Sequence, residues 1–336
     1  MRDAARTVRV NAGPNALSIV GMPPRIAAIT GPAWTVFLEG EIDTGASKRL
    51  KAFFELYSVP NGSLVYLSSP GGNLGQGLEL GRLLRAHMAS THIGRLGSAP
   101  DVLPAYCLSA CATAFIGGRF RYYSAKGAYG VHRFTPLQAS AVDSDVAQIV
   151  SAQLVTYLRD MGVDTDLFSI MSSAGSNDMI MLPKEMQERL HVVNNGIIPP
   201  EWAMESTGSE LYLRGTQETI HGVGKALFFC TNGRLLYKPI FSAGGVEEQI
   251  HPKAPQSIFI DDEAVPLNDY AILPLHLLNS FAQAVYQPPP SLLARIATAK
   301  TIGFAVQPAN PAFFLGFRMD FTGARDKFTA LAKTCR

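Results

Sequence analysis

The sequence predicts an α/β protein in which an N-terminal α/β domain is followed by a β-rich C-terminal domain. Short apolar segments alternate with segments of helical spacing between residues 35 and 161. This alternation is typical of a mainly parallel sheet with right-handed crossovers. Beyond residue 202 the segments are strand-like and separated by turn residues. A length of 336 residues is more than one hydrophobic core usually serves, so two domains are expected.

The first half of the chain shows the clearest alternation. Residues 1–33 are rich in Pro, Gly and Ala, and we expect a lead-in segment or an edge strand there. The elements predicted after it are a strand at 35–42, a helix at 44–57, a strand at 64–70, a helix at 73–87, a strand at 91–96, a helix within 110–117, strands around a turn at Lys126, and a helix at 142–161. The apolar side of the last helix is expected to be either a core contact or an oligomer surface.

The second half reads as mostly β-structure. Six apolar segments, from ELYLRG to FFLGFRM, have the short length and turn spacing of strands. Two helices are predicted among them, at 271–286 and at 323–334. The segment IIPPEW indicates the domain boundary. We therefore expect domains at 34–204 and 205–336.

Composition excludes several classes of protein. Hydrophobic residues make up 47% and charged residues 17% of the chain, which indicates globular domains rather than disorder. The net charge is +2 and the basic residues are scattered, so a nucleic-acid partner is not expected. No apolar run approaches the roughly 18–20 residues that span a bilayer. The N-terminus lacks a clear signal-peptide core, which is weak evidence on location.

The four cysteines fall into two pairs, Cys107 with Cys111 and Cys230 with Cys335. An even number, with each pair inside one expected domain, indicates disulfides and an oxidising compartment. The alternative is four reduced, buried thiols. The spacing does not match a zinc site, and no metal is expected.

One set of motifs in the first half indicates acyl-transfer chemistry. A buried strand ends in SPGG, with Gly71 and Gly72; CLSAC places Ser109 at a strand-to-helix turn; and GVHRF supplies His132, 23 residues later. Acyl transfer needs a hydroxyl, an imidazole that takes its proton, and N–H groups that hold the oxyanion. A Gly-Gly turn offers such N–H groups because glycine lets a ligand approach the backbone closely.

Residues 35 to about 195 resemble the Clp-protease/crotonase superfamily, and most closely its exported bacterial Clp-protease-like members. The matching segments are LSSPGGNLGQGLELGRLLR, CLSACATAFIGG, YGVHRF, YLRDMGVD and NDMIMLPKEM. The resemblance implies that Ser109 is the nucleophile, His132 the base and Asp178 the acidic third member. It implies oxyanion donors at the N–H groups of Gly72 and Ala110. It also implies peptide or protein substrates, no cofactor, and the homo-oligomeric rings that such proteins commonly form.

Several alternatives stay open at this stage. A shifted alignment makes Cys111 the nucleophile, and the flanking cysteines depart from the small residues that are usual in the peptidases. If they are not catalytic, Ser109 and His132 are packing residues, and Asp178 is a helix cap or a turn residue. A Ser–Lys dyad is not expected, because the helix at 142–161 contains no lysine. Arg133 is expected to be solvated, and the Asp261–Asp262 doublet to form a turn rather than a metal site.

The sequence thus predicts a serine hydrolase of the peptidase type. The alternative is a non-catalytic, exported binding module on a degenerate Clp-protease-like scaffold, because folds outlast their chemistry. A periplasmic or otherwise exported location is expected from the cysteines, with the cytoplasm as the alternative.

Overall fold

The chain divides into two compact units, residues 1–196 and 197–336. This boundary lies eight residues before the predicted limit at 204, because Ile197 already pairs with Thr219 of the second unit. The computed structural model describes residues 7–11, 13–24, 31–98, 101–134, 143–175, 178–208, 210–245, 247–306 and 315–335.

In its described residues, the first unit contains short strands and six helices. Its strands are β1 (Val8–Val10), β2 (Ser18–Met22), β3 (Thr35–Glu39), β4 (Leu64–Ser68), β5 (Ser90–Ile93), β6 (Arg95–Leu96), β7 (Val102–Leu103), β8 (Ala105–Leu108), β9 (Phe120–Arg121), β10 (Gly127–Val131) and β11 (Ile180–Met181). Its helices are α1 (Ala46–Leu56), α2 (Leu74–Ala86), α3 (Ala110–Phe115), α4 (Asp143–Asp160), α5 (Asp166–Ser173) and α6 (Lys184–Arg189).

The main sheet has the order β1-β2-β3-β4-β5-β9. Strands β3, β4, β5 and β9 are parallel, as the alternation of strands and helices predicts. Strands β1 and β2 extend the sheet in antiparallel fashion. Residues 18–22 of the expected lead-in segment are thus part of the sheet, where Ile19 and Val20 are buried.

A second, three-stranded sheet has the order β11-β10-β8. Strands β8 and β10 are parallel, with Leu108 opposite Gly130, whereas β11 runs antiparallel to β10. Both β8 and β10 end at the same edge of this sheet. The residues that follow them, Ser109 and His132, are therefore brought together by strand register.

Helix α3 lies close against α2 because α2 carries a glycine at the contact. A Cβ atom at Gly77 would lie 2.5 Å from the carbonyl oxygen of Ala110 and 2.6 Å from Thr113 Oγ1. The apolar side of α4 is part of the core, since Leu154, Tyr157 and Leu158 are at most 1% exposed. The C-terminal part of that stripe is therefore a core contact, whereas Ile149 nearer the start of the helix is exposed.

A buried arginine ties the ends of helices together behind this core. Arg121 is 3% exposed and donates to the carbonyl oxygens of Met161 (3.1 Å), Gly118 (3.1 Å) and Val192 (2.9 Å). Met161 directly follows α4, and carbonyls at a helix C-terminus favour a nearby cation. Burial lowers the pKa of Arg121 to about 9. The hydrogen bonds to these carbonyl oxygens offset part of the cost of burying its charge.

The second unit is β-rich, as predicted. Its strands are β12 (Glu201–Thr207), β13 (Glu210–Thr219), β14 (Gly222–Thr231), β15 (Arg234–Ser242), β16 (Gln256–Ile260), β17 (Glu263–Pro266), β18 (Ala271–Leu278), β19 (Phe281–Tyr286), β20 (Thr301–Val306) and β21 (Leu315–Asp320). Helices α7 (Pro290–Thr298) and α8 (Arg325–Thr334) accompany two antiparallel sheets, ordered β12-β13-β14-β15-β19-β18 and β17-β16-β20-β21. Short 3-10 helices lie at Glu247–Gln249, Asn268–Tyr270 and Thr322–Ala324.

The predicted helix at 271–286 is wrong. This segment forms the hairpin β18–β19, with Leu278 opposite Phe281. Asn279 (φ 51°) and Ser280 (φ 61°) both have positive φ, which is the backbone of the tight turns that join antiparallel strands. The apolar spacing of this segment suits either a helix or strands, and Pro274 within it argued against a helix. Among the described residues, no helix has the length and hydropathy to span a membrane.

Candidate active site

Ser109 occupies a strained turn between β8 and α3. Its backbone has φ 56° and ψ −122°, a region that side-chain-bearing residues rarely adopt and that costs about 1–3 kcal/mol. Such strain persists only where the surroundings enforce it, and it is concentrated at functional sites. A serine on a sharp strand-to-helix turn is also how hydrolases expose a nucleophilic hydroxyl.

The imidazole of His132 meets the hydroxyl of Ser109. The distance from His132 Nε2 to Ser109 Oγ is 2.7 Å, although 23 residues separate them. The main-chain N–H of Ser109 donates to the carbonyl oxygen of Gly130 at 3.0 Å, which continues the β8–β10 pairing past the end of β8. Both side chains are only partly buried, so a substrate can reach them. The two predicted residues are thus brought together.

The Gly-Gly turn at Gly71 and Gly72 lies directly beside the strand-to-helix turn at Leu108–Ala110, which is called the elbow below. The N–H of Ser69 donates to the carbonyl oxygen of Tyr106 (2.8 Å), and the N–H of Leu108 donates to that of Ser69 (3.1 Å). Gly71 has φ 104°, and a Cβ atom there would lie 2.7 Å from both Leu108 O and Ser109 Cβ. Only glycine permits this close approach.

Two main-chain N–H groups in these two turns, those of Ala110 and Gly72, have no acceptor among the described residues. Ala110 is the first residue of α3, so its N–H has no intrahelical acceptor. Gly72 is exposed, with φ 132°. Within the described part of the chain, neither N–H donates to another residue. These are the groups that the sequence assigned to an oxyanion hole.

The structure does not join Asp178 to this pair. The Nδ1 atom of His132 is buried and has no hydrogen-bond partner among the residues that the structure describes. Asp178 is exposed, its N–H donates to the carbonyl oxygen of Gly175 at 3.2 Å, and a Cβ atom at Gly175 would lie 2.6 Å from Asp178 Oδ2. The geometry therefore gives a Ser–His pair and leaves the expected acidic member apart.

All four cysteines are in disulfides, Cys107–Cys111 and Cys230–Cys335. The structure pairs the cysteines as the sequence predicts, each pair at disulfide distance. The alternative that makes Cys111 the nucleophile finds no support in this geometry, because its sulfur is bonded to that of Cys107 and the residue is 0% exposed. A thiolate is required for attack, and a disulfide sulfur has none.

The other residues that the sequence singled out are exposed or make contacts to other parts of the chain. Lys126 is exposed on the turn before β10, and Arg133 Nε donates to the carbonyl oxygen of Ala174 at 3.1 Å. Asp261 accepts from main-chain N–H groups, which is the role of a turn residue. Among the described residues, no cluster of three or more His, Cys, Asp or Glu side chains suits a metal ion.

Sequence reasoning missed Ser69. This residue is 1% exposed, and its Oγ accepts from the N–H of Gly71 at 3.1 Å. The bond fixes the Gly71 peptide and leaves the next N–H, that of Gly72, as the unpaired donor of the turn. The signal was a second serine directly before Pro-Gly-Gly, where a hydroxyl can bond the main chain two residues on.

Comparisons with known proteins give remote matches. No protein-family description and no curated protein matches this sequence. Among solved structures, ClpP1 from Listeria monocytogenes is 16% identical, with 48% of this chain and 88% of that chain covered, at a TM-score of 0.36. A mutant of that protein gives the same identity and coverage at a TM-score of 0.34. A mutant of the 1510-N membrane-bound stomatin-specific protease is 10% identical, with 47% and 75% covered, at a TM-score of 0.33.

Proposed function

We propose that this protein is a serine hydrolase of the peptidase type, in which Ser109 and His132 carry out acyl transfer. The observation that carries the proposal is the 2.7 Å approach of His132 Nε2 to Ser109 Oγ at a strained strand-to-helix turn. A base within about 2.6–3.2 Å of the hydroxyl is the geometry that proton abstraction requires.

In the first step, Ser109 Oγ attacks a peptide or ester carbonyl carbon while its proton passes to Nε2 of neutral His132. This needs the tautomer that carries its proton on Nδ1. The carbonyl oxygen becomes an oxyanion, for which Gly72 and Ala110 offer unpaired N–H groups. Collapse of the tetrahedral intermediate expels the amine or alcohol, which takes the proton from His132.

In the second step, water loses a proton to His132 and attacks the acyl-enzyme ester. The bond to Ser109 Oγ breaks, the carboxylic acid leaves, and the proton returns to the serine. Asp178 has no role in this scheme, because it makes no hydrogen bond to His132.

We further propose that the protein works in an oxidising compartment, as an exported or periplasmic protein. Two disulfides support this, since disulfides are rare in cytosolic proteins. Cell fractionation with a thiol-trapping reagent tests the proposal. Reduced cysteines in a cytosolic fraction would contradict it.

A fluorophosphonate probe tests the hydrolase proposal, because it forms a covalent adduct only with an activated nucleophile. We expect one adduct on Ser109 by mass spectrometry, none in Ser109→Ala, and labelling that is slower by about 10²-fold or more in His132→Gln. Ser172→Ala, at an exposed position in α5, is the matched control and should label normally. If folded, oxidised wild-type protein forms no adduct, the alternative of a non-catalytic binding module replaces this proposal.

A further inference from the structure

The disulfide Cys107–Cys111 encloses the candidate nucleophile. Cys107 lies in β8, Cys111 is the second residue of α3, and Ser109 is midway between them. The Cα atoms of the two cysteines are 5.0 Å apart, and both residues are 0% exposed. The covalent ring therefore contains the whole strand-to-helix turn.

Ser109 does not perform the capping role that its position offers. It is the residue before α3, where a serine side chain normally accepts a hydrogen bond from an N–H of the first helical turn. Its side chain makes no such bond, because Oγ is 2.7 Å from His132 Nε2 instead. The start of a helix of only six residues thus lacks its usual side-chain support.

The strand side of the ring is firmly held. Cys107 is opposite Tyr129 in the pairing of β8 with β10, and it bridges to Ser69 on its other side. The helix side carries Ala110, whose N–H is a candidate oxyanion donor. The disulfide from Cys107 to Cys111 therefore connects β8, which is fixed in the sheet, to the first turn of α3, where the Ala110 N–H must keep its position to serve as an oxyanion donor.

We infer that the Cys107–Cys111 disulfide is a positioning element for Ser109: it replaces the missing helix cap and holds the serine hydroxyl on His132 and the Ala110 N–H beside it. The inference rests on the proposed hydrolase function. It assigns to this disulfide a role in reactivity that it does not assign to Cys230–Cys335, which lies in the other unit.

The test compares two variants that each lose one disulfide, Cys107→Ala/Cys111→Ala and Cys230→Ala/Cys335→Ala. Each is examined for its rate of fluorophosphonate labelling at Ser109, for its melting temperature, and in a crystal structure for the Ser109 Oγ to His132 Nε2 distance. We expect the first variant to label at least about tenfold more slowly, since a displacement of about 1 Å can cost about 10²-fold. The second variant should label at the wild-type rate even if its melting temperature falls.

Equal labelling of the first variant and the wild type, with the Ser109–His132 distance retained, would overturn the inference and leave the hydrolase proposal intact. If the wild type does not label, the hydrolase proposal fails and the distance alone decides. A separation beyond hydrogen-bond reach in the first variant supports positioning, and an unchanged distance refutes it.

If the first variant does not fold, reduction of Cys230→Ala/Cys335→Ala by dithiothreitol provides the same comparison. In that variant the elbow disulfide is the one disulfide left. The reagent supplies two electrons and two protons and is itself oxidised to a cyclic disulfide. Circular dichroism monitors the fold. Labelling should fall on reduction and return on reoxidation, and labelling that is unaffected by complete reduction would contradict the inference.

Discussion

Replacing Gly71 by alanine should displace the elbow at Ser109 as well as destabilise the fold. Gly71 has φ 104°, and an added Cβ atom would lie 2.7 Å from Leu108 O and Ser109 Cβ and 3.1 Å from the nitrogen of Ala110. These contacts are main-chain atoms and a Cβ atom, so no flexible side chain can move aside. The backbone on both sides of the turn must shift.

Two contributions determine how much Gly71→Ala lowers the free energy of unfolding. The left-handed backbone conformation costs an alanine about 1–3 kcal/mol, and overpacking a filled site adds about 1–3 kcal/mol. Gly71→Ala is therefore expected to lower the free energy of unfolding by about 2–6 kcal/mol. At about 2–4 °C per kcal/mol for a unit of this size, the melting temperature should fall by roughly 4–24 °C.

Gly62→Ala is the matched control. Gly62 also has positive φ, 80°, but a Cβ atom there has no atom within 4 Å. Gly62→Ala should cost only the conformational part, about 1–3 kcal/mol.

The assay is fluorophosphonate labelling below both melting temperatures. Gly71→Ala should label at least about tenfold more slowly, because a displacement of about 1 Å at the reacting atoms is costly. Gly62→Ala should label at the wild-type rate. Equal melting temperatures for the two variants, or normal labelling of Gly71→Ala, would refute the contact between this glycine and the elbow.

Three further predictions concern other residues. Burial lowers the pKa of His92 from 6.5 to about 4. The unfolded chain therefore binds this proton more readily than the folded protein does, and stability falls as the pH decreases from 6.5 towards 4. His92→Phe should show a smaller drop in melting temperature across that pH range. Tyr157→Phe removes a 2.6 Å hydrogen bond to the buried carbonyl of Thr113 and should cost about 1–3 kcal/mol in urea unfolding; no loss would show that this carbonyl finds another donor. Asp178→Asn should change the labelling rate less than about threefold, because Asp178 makes no hydrogen bond to His132. A residue that takes part in proton transfer usually contributes about 10²-fold or more, so a larger loss would mean that Asp178 reaches His132 during the reaction.

The Ser109–His132 pair was predictable because strand register brings it together. Residues at the same end of neighbouring parallel strands meet at one sheet edge, and β8 and β10 provide that edge. The sequence shows both strand ends, one in front of Ser109 and one in front of His132. Pattern and spacing are therefore sufficient for this contact.

Asp178 was not predictable in the same way. Strand β11 pairs with β10 in antiparallel register, with Ile180 opposite Val131. Continued by one residue, this register brings Met179 opposite His132, and Asp178 lies one position further on. A resemblance of motifs specifies the order of residues along the chain, whereas register decides which of two neighbours faces the imidazole.

Three local rules fail together at Ser109. A residue with a side chain takes a backbone conformation that favours glycine, a serine at a helix start leaves the helix uncapped, and a six-residue helix persists nonetheless. Departures from local rules usually collect where function requires them. Here one cause accounts for the first two, because turning Oγ towards His132 requires the strained backbone and removes the cap. The disulfide across the same turn is then what a positioning role predicts, since it supports the helix start without using the hydroxyl.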